Sequence, residues 1–317
     1  MSDSDIYRKR AKIRLDEALG TTILEALYDG DTKEIMANPD GKLFFESTER
    51  GMIRQGTIDV NSCENVIRTV ASLLNRELPE QSPITSGQLP FYKVRFEGIL
   101  PPLASGPCFC IRKQFAKVLS LDDLIRRQML SEEQSLFLTQ KLMEHKSVLV
   151  CGPTGCGKTT LVNAMLKTIA QCRNDERIIS LEDTPELRLP FDNCISLYTS
   201  DKTDLCRLLS SSLRLRPDRI VVGEVRGPEA LDLVDALTTG HRGGLATLHA
   251  GSALQALQRL MLLISRHRAA PRKTEGLIAN AFDYIVVLGR IPRLRVREIT
   301  WVKGFNNDNF ILENIEL

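Results

Sequence analysis

The chain has 317 residues, 42 of them Lys or Arg and 40 Asp or Glu, for a formal net charge of +2. With 43% hydrophobic and 26% charged residues, this is a globular composition for one large domain or two ordinary ones. It carries no bulk electrostatic footprint for nucleic acid, so no direct nucleic-acid partner is expected; no apolar run approaches the ~20 residues of a membrane-spanning helix, and the opening M-S-D-S-D-I-Y-R-K-R lacks the apolar centre of a secretory signal.

Residues 1–118 read as an α+β amino-terminal domain. Asp5 to Tyr28 mixes apolar and charged residues at helical spacing. Its basic run, Arg8-Lys9-Arg10 with Lys12 and Arg14, is either a solvated helix face or a contact for a membrane surface or partner. Asn38-Pro-Asp-Gly-Lys is a turn signal before Leu43–Glu46, which predicts a hairpin with Glu34–Ala37. Asn61 to Arg76 predicts an amphipathic helix, and Tyr92–Leu100 and Phe109–Arg112 predict short strands around Pro101-Pro102 and Gly106-Pro107. There are eight cysteines, none in a CxxC pair, and Cys108-x-Cys110 is too sparse for a zinc site. Reduced thiols and a cytoplasmic setting are therefore expected.

After a linker at 119–125 the pattern changes. Leu121 to Glu144 is helical in spacing. Then apolar strands alternate with helices: Val148–Cys151, Arg177–Leu181 and Arg219–Gly223 read as buried strands, with a helix at Leu161–Ala170. Tyr284–Leu288 and Val296–Val302 are candidates to close the sheet. This predicts an α/β domain over 126–317 with a parallel sheet covered by helices.

The first buried strand runs into Gly152-Pro153-Thr154-Gly155-Cys156-Gly157-Lys158-Thr159-Thr160, which fits G-x-x-x-x-G-K-[ST]. The glycines let backbone N–H groups wrap onto phosphate oxygens, and the helix beginning near Lys158 adds the positive end of its dipole. Lys158 is placed to neutralise the β- and γ-phosphates and Thr159 to ligate Mg²⁺. Strand, loop and helix in this order imply nucleoside triphosphate binding.

Two further strands end on acids. Arg177–Leu181 leads into Glu182-Asp183, and Arg219–Gly223 into Glu224. Ligands of open α/β sheets collect at the carboxyl ends of the strands, so these acids are expected near the phosphates. There an acid polarises a water for attack or holds the metal's water shell. Asp183 has a second reading as a helix cap. The second motif is atypical, with Gly223 where an Asp is usual. No N-K-x-D base-recognition motif occurs, which argues against a small GTPase. Thr238-Thr-Gly-His-Arg-Gly-Gly-Leu-Ala-Thr-Leu-His-Ala250 holds two of the four histidines in the chain. His249 follows a short apolar strand, Leu245–Leu248, and is expected to sense the γ-phosphate; His241 is open between that role and a structural one.

These four blocks, in this order, resemble the phosphate loop, Asp box, atypical second motif and His box of the secretion-superfamily traffic ATPases. Arg95-Phe-Glu-Gly-Ile-Leu-Pro-Pro102 and Phe109-Cys-Ile-Arg-Lys113 resemble the amino-terminal domain of the type IV secretion members, and the likeness is greatest to those of conjugative transfer. The resemblance spans about residues 30–290. It implies a RecA-like motor domain in a homo-hexamer that hydrolyses MgATP, held peripherally at the cytoplasmic face of the inner membrane by membrane proteins of the secretion or conjugation machine. Pilus biogenesis or substrate translocation is the implied work. A type IV pilus assembly or retraction motor is the alternative, and a monomeric P-loop kinase or nucleotide switch a more distant one.

By the same resemblance Glu182 activates the attacking water, Glu224 assists at Mg²⁺, and His249 senses the γ-phosphate. Arg95 and Arg112 reach nucleotide phosphates from the amino-terminal domain, while Arg214, Arg216 and Arg226 are candidates to act across subunits. A guanidinium suits such work because its planar fork stays charged and binds phosphate bidentately. Two departures stand out. Cys156 replaces a small residue of the family and brings a thiol, hence an expected redox sensitivity. The carboxy-terminal helices and metal module of some relatives are not expected, which counts against the pilus-assembly branch.

Overall fold

The computed structural model describes residues 3–47, 50–80, 83–92, 94–113, 118–200, 202–290 and 293–317. The chain forms two compact units, Met1–Lys117 and Val118–Leu317. Residues 1–2 and 114–117, inside the span expected for the first domain, lie outside the described residues.

In the first unit, α1 (Asp3–Tyr28) is broken at Gly20, whose φ of 73° and ψ of 167° are not helical. The expected hairpin forms from β1 (Thr32–Ala37) and β2 (Lys42–Ser47). Gly41, at φ 78°, closes its turn while Asn38 N–H donates to Lys42 O at 3.0 Å. There follow β3 (Gly51–Thr57), α2 (Val60–Leu73), β4 (Ile84–Leu89), β5 (Val94–Ile99) and β6 (Cys108–Arg112). The strands make an antiparallel sheet in the order β3-β2-β1-β6-β5-β4. Period-two alternation sends Ile35, Phe45, Phe96 and Ile111 inward against Leu15, Ile23, Ile67 and Val70 of the helices. β3 is an almost wholly exposed edge strand, so it shows no apolar alternation by which the sequence could reveal it.

The second unit begins with α3 (Leu121–Arg126) and α4 (Glu132–Met143). The sequence suggests one helix here. There are two because Ser120 with Asp123 and Ser131 with Gln134 each form a capping box, and the second box starts a new helix. Nor do residues 119–125 behave as a linker: Leu121 and Leu124 are buried in this unit's core. The chain continues through β7 (Val148–Cys151), α5 (Lys158–Cys172), β8 (Ile178–Glu182), β9 (Cys194–Tyr198), α6 (Leu205–Ser212), β10 (Arg219–Val222), α7 (Glu229–Thr238), β11 (Leu245–Leu248), α8 (Ala253–Ile264), α9 (Glu275–Ala281), β12 (Tyr284–Gly289), β13 (Arg295–Asn306) and β14 (Asn309–Asn314).

The sheet order is β14-β13-β12-β7-β11-β10-β8-β9, parallel from β12 to β9 and antiparallel beyond. Alternate residues enter two cores. Leu149, Ile179, Ile220, Ala246 and Ile285 pack under α6–α9, and Val148, Val150, Ile178, Val221 and Val286 under α3–α5. Both faces are therefore covered, and only the strand ends remain for a ligand.

At the amino-terminal end of β10 lies a fully buried arginine, Arg219. It donates through Nε to Glu176 Oε2 at 2.5 Å, through Nη1 to Gly243 O at 3.1 Å and through Nη2 to Leu142 O at 2.7 Å. His145 Nε2 is 3.0 Å from Glu176 Oε1. Any side chain at Gly243 would strike Arg219 Nη1, 2.7 Å from the Cβ position, and a Cβ at Gly244 would meet Leu237 Cδ2 at 2.4 Å. Gly243 is thus a packing requirement of the buried ion pair, and Gly244 of the close approach of Leu237 in α7. Removing one partner strands the other charge. Arg219→Ala is expected to lose about 3–5 kcal/mol in urea unfolding, and Arg219→Met with Glu176→Leu to recover much of it. Equal stability of Arg219→Ala and wild type would show that the pair holds nothing together.

Candidate nucleotide site

The phosphate loop joins β7 to α5. Gly152, Gly155 and Gly157 have φ of 153°, 70° and 82°, a region that side chains rarely enter. A Cβ at Gly152 would also lie 2.5 Å from Cys156 Sγ and 2.8 Å from Leu288 O. Gly157 stands at the N-cap of α5 with no side-chain cap, so the first-turn N–H groups keep their capacity for an anion. The loop thereby fits a nucleotide's phosphates. Cys156 does not bear out the expected redox sensitivity. It is fully buried beneath the loop, and burial holds its thiol above the ordinary range, where the reactive thiolate is scarce.

Lys158 is buried and folds back on its own loop, donating to Gly152 O at 3.0 Å and Pro153 O at 3.1 Å. Burial lowers its pKa. Its Nζ also lies 3.3 Å from His249 Nδ1. On the other side of the ring, His249 Nε2 is 2.7 Å from Glu224 Oε1. That pair is close without the alignment of a hydrogen bond, which leaves the buried Oε1 without a donor. Arg226 donates to the other oxygen of Glu224 at 2.5 Å and sits 3.8 Å from Asp183 Oδ2. Burial first, and then Lys158, lower the pKa of His249 against the pull of Glu224. The ring is therefore neutral near pH 7, with Nδ1 facing the Lys158 ammonium and Nε2 facing Glu224. One line of contacts thus links Lys158, His249, Glu224 and Arg226.

Glu182 closes β8 and is only 3% exposed. Its Oε1 accepts from the N–H groups of Glu186 at 2.9 Å and Leu187 at 2.8 Å, while Oε2 is buried without a partner. Burial pushes its pKa up to about 7. Its side chain lies over Gly223, where a Cβ would come 2.8 Å from Glu182 Cγ. The usual Asp at position 223 would collide with Glu182. The glycine and the acid displaced to Glu224 are therefore two parts of one arrangement.

Strand order explains what converges. The carboxyl ends of β7, β11, β10 and β8 stand side by side and carry the loop, His249, Glu224 and Glu182. Thr159 Oγ1 donates to Glu186 Oε2 at 3.1 Å, and among the described residues no hydrogen bond joins Thr159 to Glu224. Glu186 was not singled out in the sequence, although it lies one turn past Glu182 in the same acidic run. Thr160 follows Thr159 in the first turn of α5. Asp183 caps no helix; it accepts from Thr199 Oγ1 at 3.1 Å. His241 and His249 flank opposite ends of β11, so the two histidines of one motif do not share a site. Arg214 and Arg216 are exposed in the turn before β10, at the end of that strand away from Glu224. Arg95 and Arg112 belong to the first unit, opposite each other on β5 and β6, with Arg112 Nε 3.5 Å from Glu34 Oε1.

A parallel sheet covered on both faces, with a phosphate loop after an inner strand, defines a RecA-like P-loop nucleoside triphosphatase. The chain belongs to the type II/IV secretion system protein family, whose pattern matches residues 20–293, and it is an ATPase of that family. It is 40% identical over 302 residues to the conjugal transfer protein TrbB of Rhizobium radiobacter, covering 95% of this chain and 93% of the relative. It is 30% identical over 320 residues to the type IV secretion system protein VirB11 of Bartonella henselae (strain ATCC 49882 / DSM 28221 / CCUG 30454 / Houston 1), covering 86% and 89%. In fold it matches the crystal structure of the pilus retraction motor PilT with bound ADP, at a TM-score of 0.62 and 18% identity over 92% of this chain and 80% of that one. Among the described residues no helix is long and apolar enough to cross a membrane.

The folded state holds the Glu182 proton more tightly than the unfolded chain, with the pKa raised from 4.5 to about 7. Wild type therefore loses stability as pH rises from the lower value to the higher, by about 3 kcal/mol at most. Glu182→Gln keeps an acceptor for the two N–H groups and has no proton to lose. In denaturant titrations the variant is expected to gain on wild type across that window and to run parallel to it below. A constant difference at all pH values would mean that Glu182 is not held protonated by burial.

Proposed function

We propose that the chain hydrolyses MgATP as one subunit of a hexameric ring that powers pilus biogenesis or substrate translocation in a conjugative type IV secretion machine. The contact line Lys158–His249–Glu224–Arg226, with Glu182 beside it, carries this reading. The conjugal-transfer relative, similar over nearly its whole length, supports the choice of machine. In this reading the chain works in the cytoplasm, peripheral to the inner membrane, with inner-membrane components of that machine as partners.

In the resting arrangement Lys158 is satisfied by two loop carbonyls and His249. A γ-phosphate competes for this ammonium with full negative charge, so Lys158 turns from its own loop toward the phosphate. His249 then loses its donor at Nδ1 while Nε2 stays beside Glu224, and the ring is free to report the phosphate through that carboxylate. Glu182, fixed through Oε1 and unpartnered at Oε2, is suited to take a proton from the attacking water at Oε2. A base with a pKa of about 7 is ionised often enough, and basic enough, to work near neutrality. Mg²⁺, when bound, neutralises phosphate charge as a Lewis acid. Thr159, with Glu186 at its hydroxyl and Glu224 across β11, would hold it and its water shell. Arg95 and Arg112 form a cationic pair suited to phosphate, supplied when the amino-terminal domain closes within the ring.

Mixing two inactive variants tests the shared site. Lys158→Ala lacks a working pocket and Arg112→Ala lacks the closing arginine, so each alone is expected to be nearly silent in phosphate release. Co-assembled, they are expected to regain activity. No recovery from mixtures, with active wild type, would remove Arg112 from any site built between chains. The pH–rate profile gives a second check. Wild-type activity is expected to climb as pH passes about 7, because only ionised Glu182 accepts the proton, and Glu182→Gln is expected to be flat and slow. A wild-type profile without that limb would exclude Glu182 as the base.

A further inference from the structure

We propose that Cys206, Asp232 and His267 form a binding site for a borderline-soft divalent cation, with Zn²⁺ the ion that fits, separate from the nucleotide chemistry. Cys206 lies in the first turn of α6, Asp232 in the first turn of α7, and His267 just past the end of α8. The three helices pack on one face of the sheet, which brings three ligand types together from distant parts of the chain. Their ligand atoms all lie within 4.8 Å of one another, and His267 Nε2 is 3.7 Å from Asp232 Oδ2. Atoms sharing a tetrahedral Zn²⁺ at bonds of about 2.0–2.3 Å stand roughly 3.3–3.7 Å apart, so only a small closure is needed.

The charge around the trio calls for a cation. Asp232 Oδ2 is buried without a hydrogen-bond donor. Asp204 and Asp235 act on Asp232, and Asp204 and Glu229 on Cys206, all of them negative. Zn²⁺ supplies the missing positive charge: the sulfur bonds to the ion and its proton leaves to solvent. Coordination by His267 Nε2 moves the ring proton to Nδ1 and gives up the bond that Nδ1 accepts from Ala269 N–H at 3.1 Å. Ala269 is exposed, so water replaces that partner at little cost. The bound ion would tie α6, α7 and the turn after α8 into one body.

Co²⁺ titration of the full chain in excess Mg²⁺, read by thiolate-to-cobalt charge-transfer absorption, tests the site. One saturable equivalent is expected, displaced by Zn²⁺, with release of roughly one proton per ion in weak buffer. Cys206→Ser should abolish the band. His267→Ala, altered in a partly exposed turn, should weaken binding while leaving the fold intact by circular dichroism. Zn²⁺ should raise the thermal midpoint of wild type and not of Cys206→Ser. Absence of a saturable band in wild type, or its persistence in Cys206→Ser, would overturn the assignment.

Discussion

A parallel sheet whose two faces are both buried leaves its strand ends as the place for polar chemistry. That constraint governs the second unit. Its strands read as continuous apolar runs because every residue of β7, β8, β10, β11 and β12 is buried. The polar residues therefore gather just beyond those runs, at the carboxyl ends. Because β11 inserts between β7 and β10, His249 comes to stand between the phosphate loop and Glu224. The line of contacts from Lys158 to Arg226 follows from strand order.

Glycine sets how closely these parts approach. Gly152 makes room for the buried Cys156 thiol under the loop, and Gly223 makes room for the Glu182 side chain. In each case a side chain would collide with a neighbour that the site depends on. The resting lysine spends its charge on loop carbonyls and a neutral imidazole, and Glu182 keeps one buried oxygen without a donor. Glu182 Oε2 is thus left with capacity that the fold itself does not use, the kind of exception that marks a candidate functional group.

The opposite end of the sheet shows the contrast. There Arg219 is buried with its donors spent on Glu176 and on the backbone of residues 142 and 243. The His box runs from one end to the other. Gly243 packs against this ion pair, the strand crosses the sheet, and the last histidine lies beside the phosphate-loop lysine. One stretch of sequence thus joins a buried ion pair at one end to the candidate nucleotide site at the other.

Local pattern determined much of this in advance. The phosphate loop, the helix after it, the apolar strands and the acids that follow them are legible because turn geometry and burial each demand particular residues at short spacing. Strands such as β3, with little burial, leave no such mark, and the break between α3 and α4 was hidden in a helical rhythm that continues across it. Tertiary structure alone decided the rest. Sheet order parted His241 from His249, carried Asp183 into a loop beside Arg226, and buried Arg219, which from the sequence is just the first residue of a strand. It also assembled Cys206, Asp232 and His267 from three helices. These are relations between residues far apart in the chain, and only packing, which local spacing does not encode, brings such residues together.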